Sequence, residues 1–339
     1  MFDRSKSSPG GKESMSKKIT LAFLLIFVLW AAYAFGQGEV FPIKPINLYI
    51  GYPPGGNTAI TGQIVAEGMK KYLNQPVIVN FKTGAVQAIA GEYVKNSKPD
   101  GYTLVYLAHG NLIAKLAKDK RDGVPLKFQM EDLDSLGAGP YSPWTIAVNA
   151  ESPWKTIDDL IAAARKAPGA LNYGTDGVGS CSHLLLELFS QKTGIVLNQI
   201  PFQGGGPAVT ALLGGHVQLI TFSITTLGAQ VKPGGGLRPL VVFDKKRDPG
   251  LPDVPTALEK GYNIILASWQ GLRGPKGIPK PVKASLISAF EKTVKEPAIV
   301  QNLAKLDCGV TYFSPEEVDK KTREENKLFS DIWDKIEKK

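Results

Sequence analysis

Two cysteines and three histidines in 339 residues leave this chain short of the usual means of holding a transition metal. Cys181 and Cys308 cannot supply a four-ligand cluster, and there is no Cys-x-x-Cys pair. His109, His183 and His216 show neither a His-Glu-x-x-His motif nor a three-histidine spacing for zinc. Nucleotide signatures are missing as well. There is no Walker lysine, and Gly174, Gly177 and Gly179 do not follow the Gly-x-Gly-x-x-Gly spacing. No Gly-x-Ser-x-Gly elbow is present, so the common hydrolase nucleophile has no platform. No cofactor and no metal are expected. Lys and Arg outnumber Asp and Glu for a formal charge of +9, but they are scattered, with no basic helix or aromatic RNA-binding motif. Nucleic acid is therefore not an expected partner. The excess reads as solvated surface charge with a mild attraction for anions.

What is present begins at the N-terminus. Lys17 and Lys18 precede an uncharged apolar run from Ile19 to Phe35, which closes on Ala32-Tyr33-Ala34. A basic stub, an apolar core and an Ala-x-Ala site read as a secretory signal peptide over residues 1–34, with Met15 as an alternative start. The run is about seventeen residues, at the lower limit for crossing a bilayer, so an uncleaved anchor is the competing reading. No Cys follows it to take a lipid. The leader carries five basic residues against Asp3 and Glu13, so its removal lowers the net charge to +6. Export permits a disulfide between Cys181 and Cys308, and two free thiols are the alternative.

The remaining chain, enough for two packed lobes, alternates short apolar runs with helical patterns. Strands are expected at 46–51, 77–79, 103–107, 145–148, 171–174, 197–200, 218–222, 240–243 and 264–269. Thr156 with Asp159, and Ser314 with Glu317, form capping boxes that start helices, the second with Pro315 in its first turn. A β-α-β-α-β order implies parallel sheet covered by helices. In such sheets a ligand lies outside the carboxyl ends of the strands. There the chain keeps four glycine-rich loops: Pro53 to Thr58, Lys82 to Ala85, Gly174 to Ser180, and Gly204 to Pro207. Each precedes a helix, whose amide donors and partial positive charge suit an anion. One such loop alone is an ordinary tight turn. Four together point to a cleft for a carboxylate.

The same segments resemble the extracytoplasmic solute receptors of tripartite tricarboxylate transporters, the Bug or TctC family. Phe41-Pro42-Ile43-Lys44-Pro45-Ile46 through Tyr52-Pro53-Pro54-Gly55-Gly56 is similar to the family's opening strand and first loop. Pro99-Asp100-Gly101-Tyr102-Thr103-Leu104, Leu251-Pro252-Asp253-Val254-Pro255-Thr256 and Trp269-Gln270-Gly271-Leu272 match in order over nearly the whole mature chain. The resemblance implies a Venus-flytrap, periplasmic-binding-protein-like α/β fold of type II, with a ligand cleft between two lobes. The lobes are expected at 38–140 plus 266–339 and at 141–265. It implies a monomeric periplasmic receptor that performs no chemistry and delivers a small organic carboxylate to membrane permease subunits. Carried over, the first two loops place Gly55, Gly56, Asn57 and Thr58 with Thr83, Gly84 and Ala85 around one carboxylate. Thr175, Gly179, Ser180 and His183 close from the second lobe, with Tyr52 and Ser223 as wall residues. The chain departs from the family pattern at Ala59 and Gln63, where Asp and Arg are usual, and at Val86, where a Gly is usual. Those departures bear on which solute is bound. An exported hydrolase or transferase using Ser180 and His183 is the alternative from another class.

Overall fold

Alternating burial sets the first strand, β1 (Ile46–Ile50): Ile46, Leu48 and Ile50 are fully buried, while Asn47 and Tyr49 between them are half-buried. The structure is a computed structural model that describes residues 41–336. The expected signal peptide lies outside the described residues. After β1 come α1 (Asn57–Leu73), β2 (Val77–Phe81), α2 (Ala88–Lys95), β3 (Thr103–Ala108) and α3 (His109–Arg121). The chain then lays down β4 (Leu133–Asn149), α4 (Ile157–Lys166), β5 (Asn172–Thr175), α5 (Cys181–Thr193), β6 (Asn198–Pro201) and α6 (Gly205–Leu213). It continues through β7 (Leu219–Ser223), a single turn α7 (Ile224–Leu227) and β8 (Leu237–Val242). The last elements are β9 (Ala267–Pro275), α8 (Lys280–Lys295), α9 (Pro297–Ala304), β10 (Gly309–Phe313) and α10 (Pro315–Lys335).

The strands hydrogen-bond in the order β2-β1-β3-β9-β4-β7-β5-β6, with β8 and β10 also on β4. Two parallel groups, β2-β1-β3 and β6-β5-β7, lie at the ends, and the antiparallel strands β4 and β9 join them. Strand β4 is the spine. Its first part pairs with β9 and β10, and its last part, from Trp144 onward, pairs with β7 and β8. The expected lobe border at 140/141 falls inside this strand, and that at 265/266 falls just before β9.

Only the 145–148 stretch of β4 is evident from hydrophobicity, because Gly137, Gly139, Pro140 and Pro143 read as turn residues. Register shifts against β9 at Ser135/Gly137 and Ala138/Tyr141 take up Gly139 and Pro140, while Pro143 stays in register opposite Ala267 at the end of that pairing. Strand β10 is short and half-exposed, which hides it from the same reading. Both expected capping boxes form, Thr156 with Asp159 at α4 and Ser314 with Glu317 at α10. Cys181 and Cys308 are free, buried thiols. Burial pushes both thiol pKa values up, that of Cys308 to about 11, so neither is a thiolate at neutral pH. Among the described residues no helix is long and apolar enough to cross a membrane.

One buried network fixes α3 against the sheet. His109 opens α3 without exposure, stacks on Trp269 of β9 at 4.3 Å between ring centroids, and accepts a hydrogen bond from Arg273 Nε at 2.9 Å. Arg273 also donates to the Met130 carbonyl and to Thr322 on α10, while Trp269 Nε1 donates to Glu325. Burial, and then the charge of Arg273, hold the His109 pKa well below the usual imidazole value. The unfolded chain takes up a proton near pH 6.5 that the folded chain refuses, so this contribution is intact above that pH and lost as the pH falls below it. Stability from urea denaturation is predicted to fall between about pH 6.5 and pH 5.5 by up to about 1.4 kcal/mol per pH unit from this group. His109→Gln, which still accepts from Arg273, removes that part of the slope. Equal slopes for the two proteins exclude His109 as the cause.

Candidate functional site

The carboxyl ends of β1, β3, β5, β6 and β7 each run into the N-terminus of a helix. The first amides of a helix have no partner within it, so these helix starts place backbone donors where the strands end. Side chains satisfy two of them locally: Ser180 Oγ accepts from the His183 amide at the start of α5, and Ser223 Oγ accepts from the Thr226 amide at the start of α7. The starts of α1 and α6 have no such cap, because Gly56 and Gly204 occupy the capping positions. Gly204 has φ +149°, a conformation that keeps a side chain out, and a Cβ there would sit 3.3 Å from Pro53 Cδ. These two uncapped helix starts line one cavity, with Asn57 and Thr58 on one side and Gly204, Gly205 and Gly206 on the other.

The side chains between them make a second tier of polar contacts. Asn57 Nδ2 donates to Ser223 Oγ at 3.1 Å across the cavity. Tyr52 donates to Asp176 Oδ2 at 2.8 Å, and Asn111 Nδ2 donates to the same oxygen at 2.8 Å and to the Tyr52 hydroxyl at 3.0 Å. Ser182 Oγ donates to Asp176 Oδ1 at 2.6 Å, and the Cys181 amide donates to Asn111 Oδ1. Burial, then the charge of Asp176, raise the Tyr52 pKa well above the usual phenol value, so the hydroxyl keeps the proton it donates. Two residues that line the cavity each carry a buried atom with no hydrogen-bond partner among the described residues: Asn57 Oδ1 and Trp144 Nε1. A buried donor and a buried acceptor left unpaired in one cavity are costly unless a bound molecule meets them.

The free space there is about 30 Å³, close to the volume of one water, so any organic solute enters only when the walls part. An adjoining chamber of about 330 Å³ lies against Gly84, Ala85 and Val86, and Tyr52 and Asp176 line both. Ala85, Val86 and Gln87 all have positive φ, at 46°, 52° and 73°. The β-branched Val86 is a costly occupant of that region. The buried Gln87 amide holds the loop in place by bonding both backbone groups of Ala108, each at 3.0 Å.

The site residues expected from sequence therefore divide. Tyr52, Gly56, Asn57, Thr58 and Ser223 line the inner cavity, and Gly84 and Ala85 line the adjoining chamber with Tyr52. Gly55 and Thr83 sit in the loops beside these positions and line neither. Thr175 is fully buried and accepts from Gln199 Nε2. Gly179 and Ser180 are held at the start of α5, where the Gly179 amide donates to His183 Nδ1. His183 lines a separate cavity of about 510 Å³ with Trp333 and Glu187. Asn111, Trp144, Phe222 and Asp176 are wall residues that sequence pattern does not single out. Gly204 to Gly206 carried a signal, a glycine run after a strand, without a reason to prefer them over Gly84.

The family model described as tripartite tricarboxylate transporter family receptor matches residues 61–337. The chain belongs to that receptor family. The receptor is 35% identical to a protein encoded in the gbd 5′ region of Cupriavidus necator, over 85% of this chain and 86% of that one. It is 30% identical to the protein BugT of Bordetella pertussis, over 88% of this chain and 91% of that one. Among solved structures, the periplasmic binding protein BugD superposes with a TM-score of 0.79 at 27% identity, covering 88% of this chain and 100% of BugD. The fold is thus the α/β, two-lobed periplasmic-binding-protein fold with a cleft between the lobes. In this receptor Tyr52→Phe is predicted to lower the unfolding free energy by about 1.5–3 kcal/mol, through loss of a buried hydrogen bond to a carboxylate. Guanidinium denaturation reads it, and an unchanged midpoint shows that the Tyr52–Asp176 contact contributes nothing net.

Proposed function

We propose that this receptor acts in the periplasm, captures a small organic carboxylate in the inner cavity and the adjoining chamber, and delivers it to the membrane subunits of a tripartite tricarboxylate-type transporter. The observation that carries this reading is the pair of uncapped helix starts, α1 and α6, that face one cavity. Together with the unpaired Trp144 N–H they offer hydrogen-bond donors and partial positive charge without a lysine or arginine in that wall. Pro207, which has no N–H, limits the donors of α6 to its first two residues. Residues 38–140 with 266–339 make the first lobe and 141–265 the second, in keeping with the change of β4 partners at Trp144. Binding closes one lobe on the other, and ligand contacts from both sides decide the population.

The hydrolase reading has less support. Ser180 Oγ is engaged with Ser182 Oγ at 2.8 Å and caps α5, and His183 Nδ1 is taken by the Gly179 amide at 3.0 Å. A base so occupied is poorly placed to activate that serine.

Thermal unfolding against a panel of small carboxylates tests the proposal. A ligand at about a hundred times its Kd adds about 2.7 kcal/mol of stability. A hit recovered unaltered supports a receptor, and a consumed compound supports the hydrolase. A pair of variants tests the backbone donors. Asn57 is the first residue of α1, where proline is tolerated, so Asn57→Pro removes one amide donor that Asn57→Ala keeps. Asn57→Pro is expected to bind the hit at least roughly tenfold more weakly than Asn57→Ala. Equal affinities show that the helix start does not hold the anion.

A further inference from the structure

We propose that the solute of this receptor is a carboxylate that also carries an ammonium group, an amino-acid-like zwitterion, and that Asp176 selects it. The inference rests on the receptor reading above and adds the substrate class. The argument starts from a conflict of charge. A cleft built from helix starts suits an anion, yet its wall contains a carboxylate that is 5% exposed. Asp176 has no ion-pair partner among the described residues. Its hydrogen bonds come from the Tyr52 hydroxyl, the Asn111 amide and the Ser182 hydroxyl, all neutral. The lysine beside the adjoining chamber, Lys115, pairs with Asp119 on its own helix. A carboxylate offers about four lone-pair sites, and three are filled by these donors, which leaves one for a ligand.

The second observation is the division of the unpaired atoms. Trp144 Nε1 is a donor and belongs with the helix starts, where a ligand carboxylate accepts. Asn57 Oδ1 is an acceptor, as is Asp176, so the same cavity also calls for a ligand that donates. An α,ω-dicarboxylate meets the first requirement and opposes the second, because its far carboxylate would be buried near Asp176. A plain fatty carboxylate leaves the acceptors unanswered. A carboxylate with an ammonium group satisfies both, with charge-assisted hydrogen bonds at each end. Asp176 lines both chambers, so it faces the ligand wherever the second group extends.

The test is calorimetric titration of the purified protein with sets matched in length: amino acids, the same acids lacking the amino group, and dicarboxylates. The expected result is that one or more amino acids bind at least about tenfold more tightly than their desamino and dicarboxylate counterparts. Asp176→Asn is expected to cost the amino acid about 100-fold in affinity and to improve the dicarboxylate. A wild-type protein that prefers dicarboxylates or desamino acids overturns the inference and leaves the receptor reading standing, and it does so whether or not the variant folds. An unchanged preference in a folded Asp176→Asn protein also overturns it. Failure of all three classes to bind overturns both readings.

Discussion

A helix that starts at glycine starts with amide hydrogens that no neighbouring side chain can meet. In a soluble protein water satisfies them, but where strand ends and loops shut water out they need another acceptor. The starts of α1 and α6 line a cavity with room for about one water, and no side chain caps them. Parallel strands bring helix starts to one edge, and here the groups β2-β1-β3 and β6-β5-β7 each bring one such start to the same cavity. Side-chain caps at α5 and α7 satisfy two of the other helix starts locally, while α3, which begins after Ala108, has none.

Much of this is legible in the sequence for a physical reason. Strand β3 is a short apolar run buried almost throughout, β1 alternates buried and half-buried positions, and the loops after β1, β2, β5 and β6 are marked by glycine, so these segments stand out. The capping boxes at Thr156 and Ser314 are local chemistry and form as local chemistry dictates. What stays hidden depends on distant partners. The full length of β4 needs β9 and β10 to make its prolines and glycines tolerable. Asp176 looks like one polar loop residue until Tyr52, 124 positions away, is seen to donate to it. His183 lies three residues from Ser180, yet its ring packs on Trp333 and lines a cavity apart from the one that Tyr52 and Asn57 line.

The loop at Ala85 to Gln87 shows how a strained segment is kept. Three successive left-handed residues are unfavourable in isolation, and Val86 most of all. The Gln87 amide answers both backbone groups of Ala108, which ties the loop to the end of β3 next to the helix that carries Asn111. Strain in the loop and order in the wall of the cleft are thus set by one side chain. The buried His109–Arg273 contact does the same for α3, fixing the helix start two residues before Asn111.

Strand β4 has a further meaning for the molecule as a whole. Its backbone is a ladder partner for strands of both sheets, and no break separates its two halves. Loss of either sheet strips this strand of half its hydrogen bonds and exposes its buried side chains, so neither half of the protein can melt and leave the other intact. The stretches on either side of Trp144 are thereby linked in unfolding through one continuous strand. A reporter placed in one lobe therefore registers the same transition as a reporter in the other.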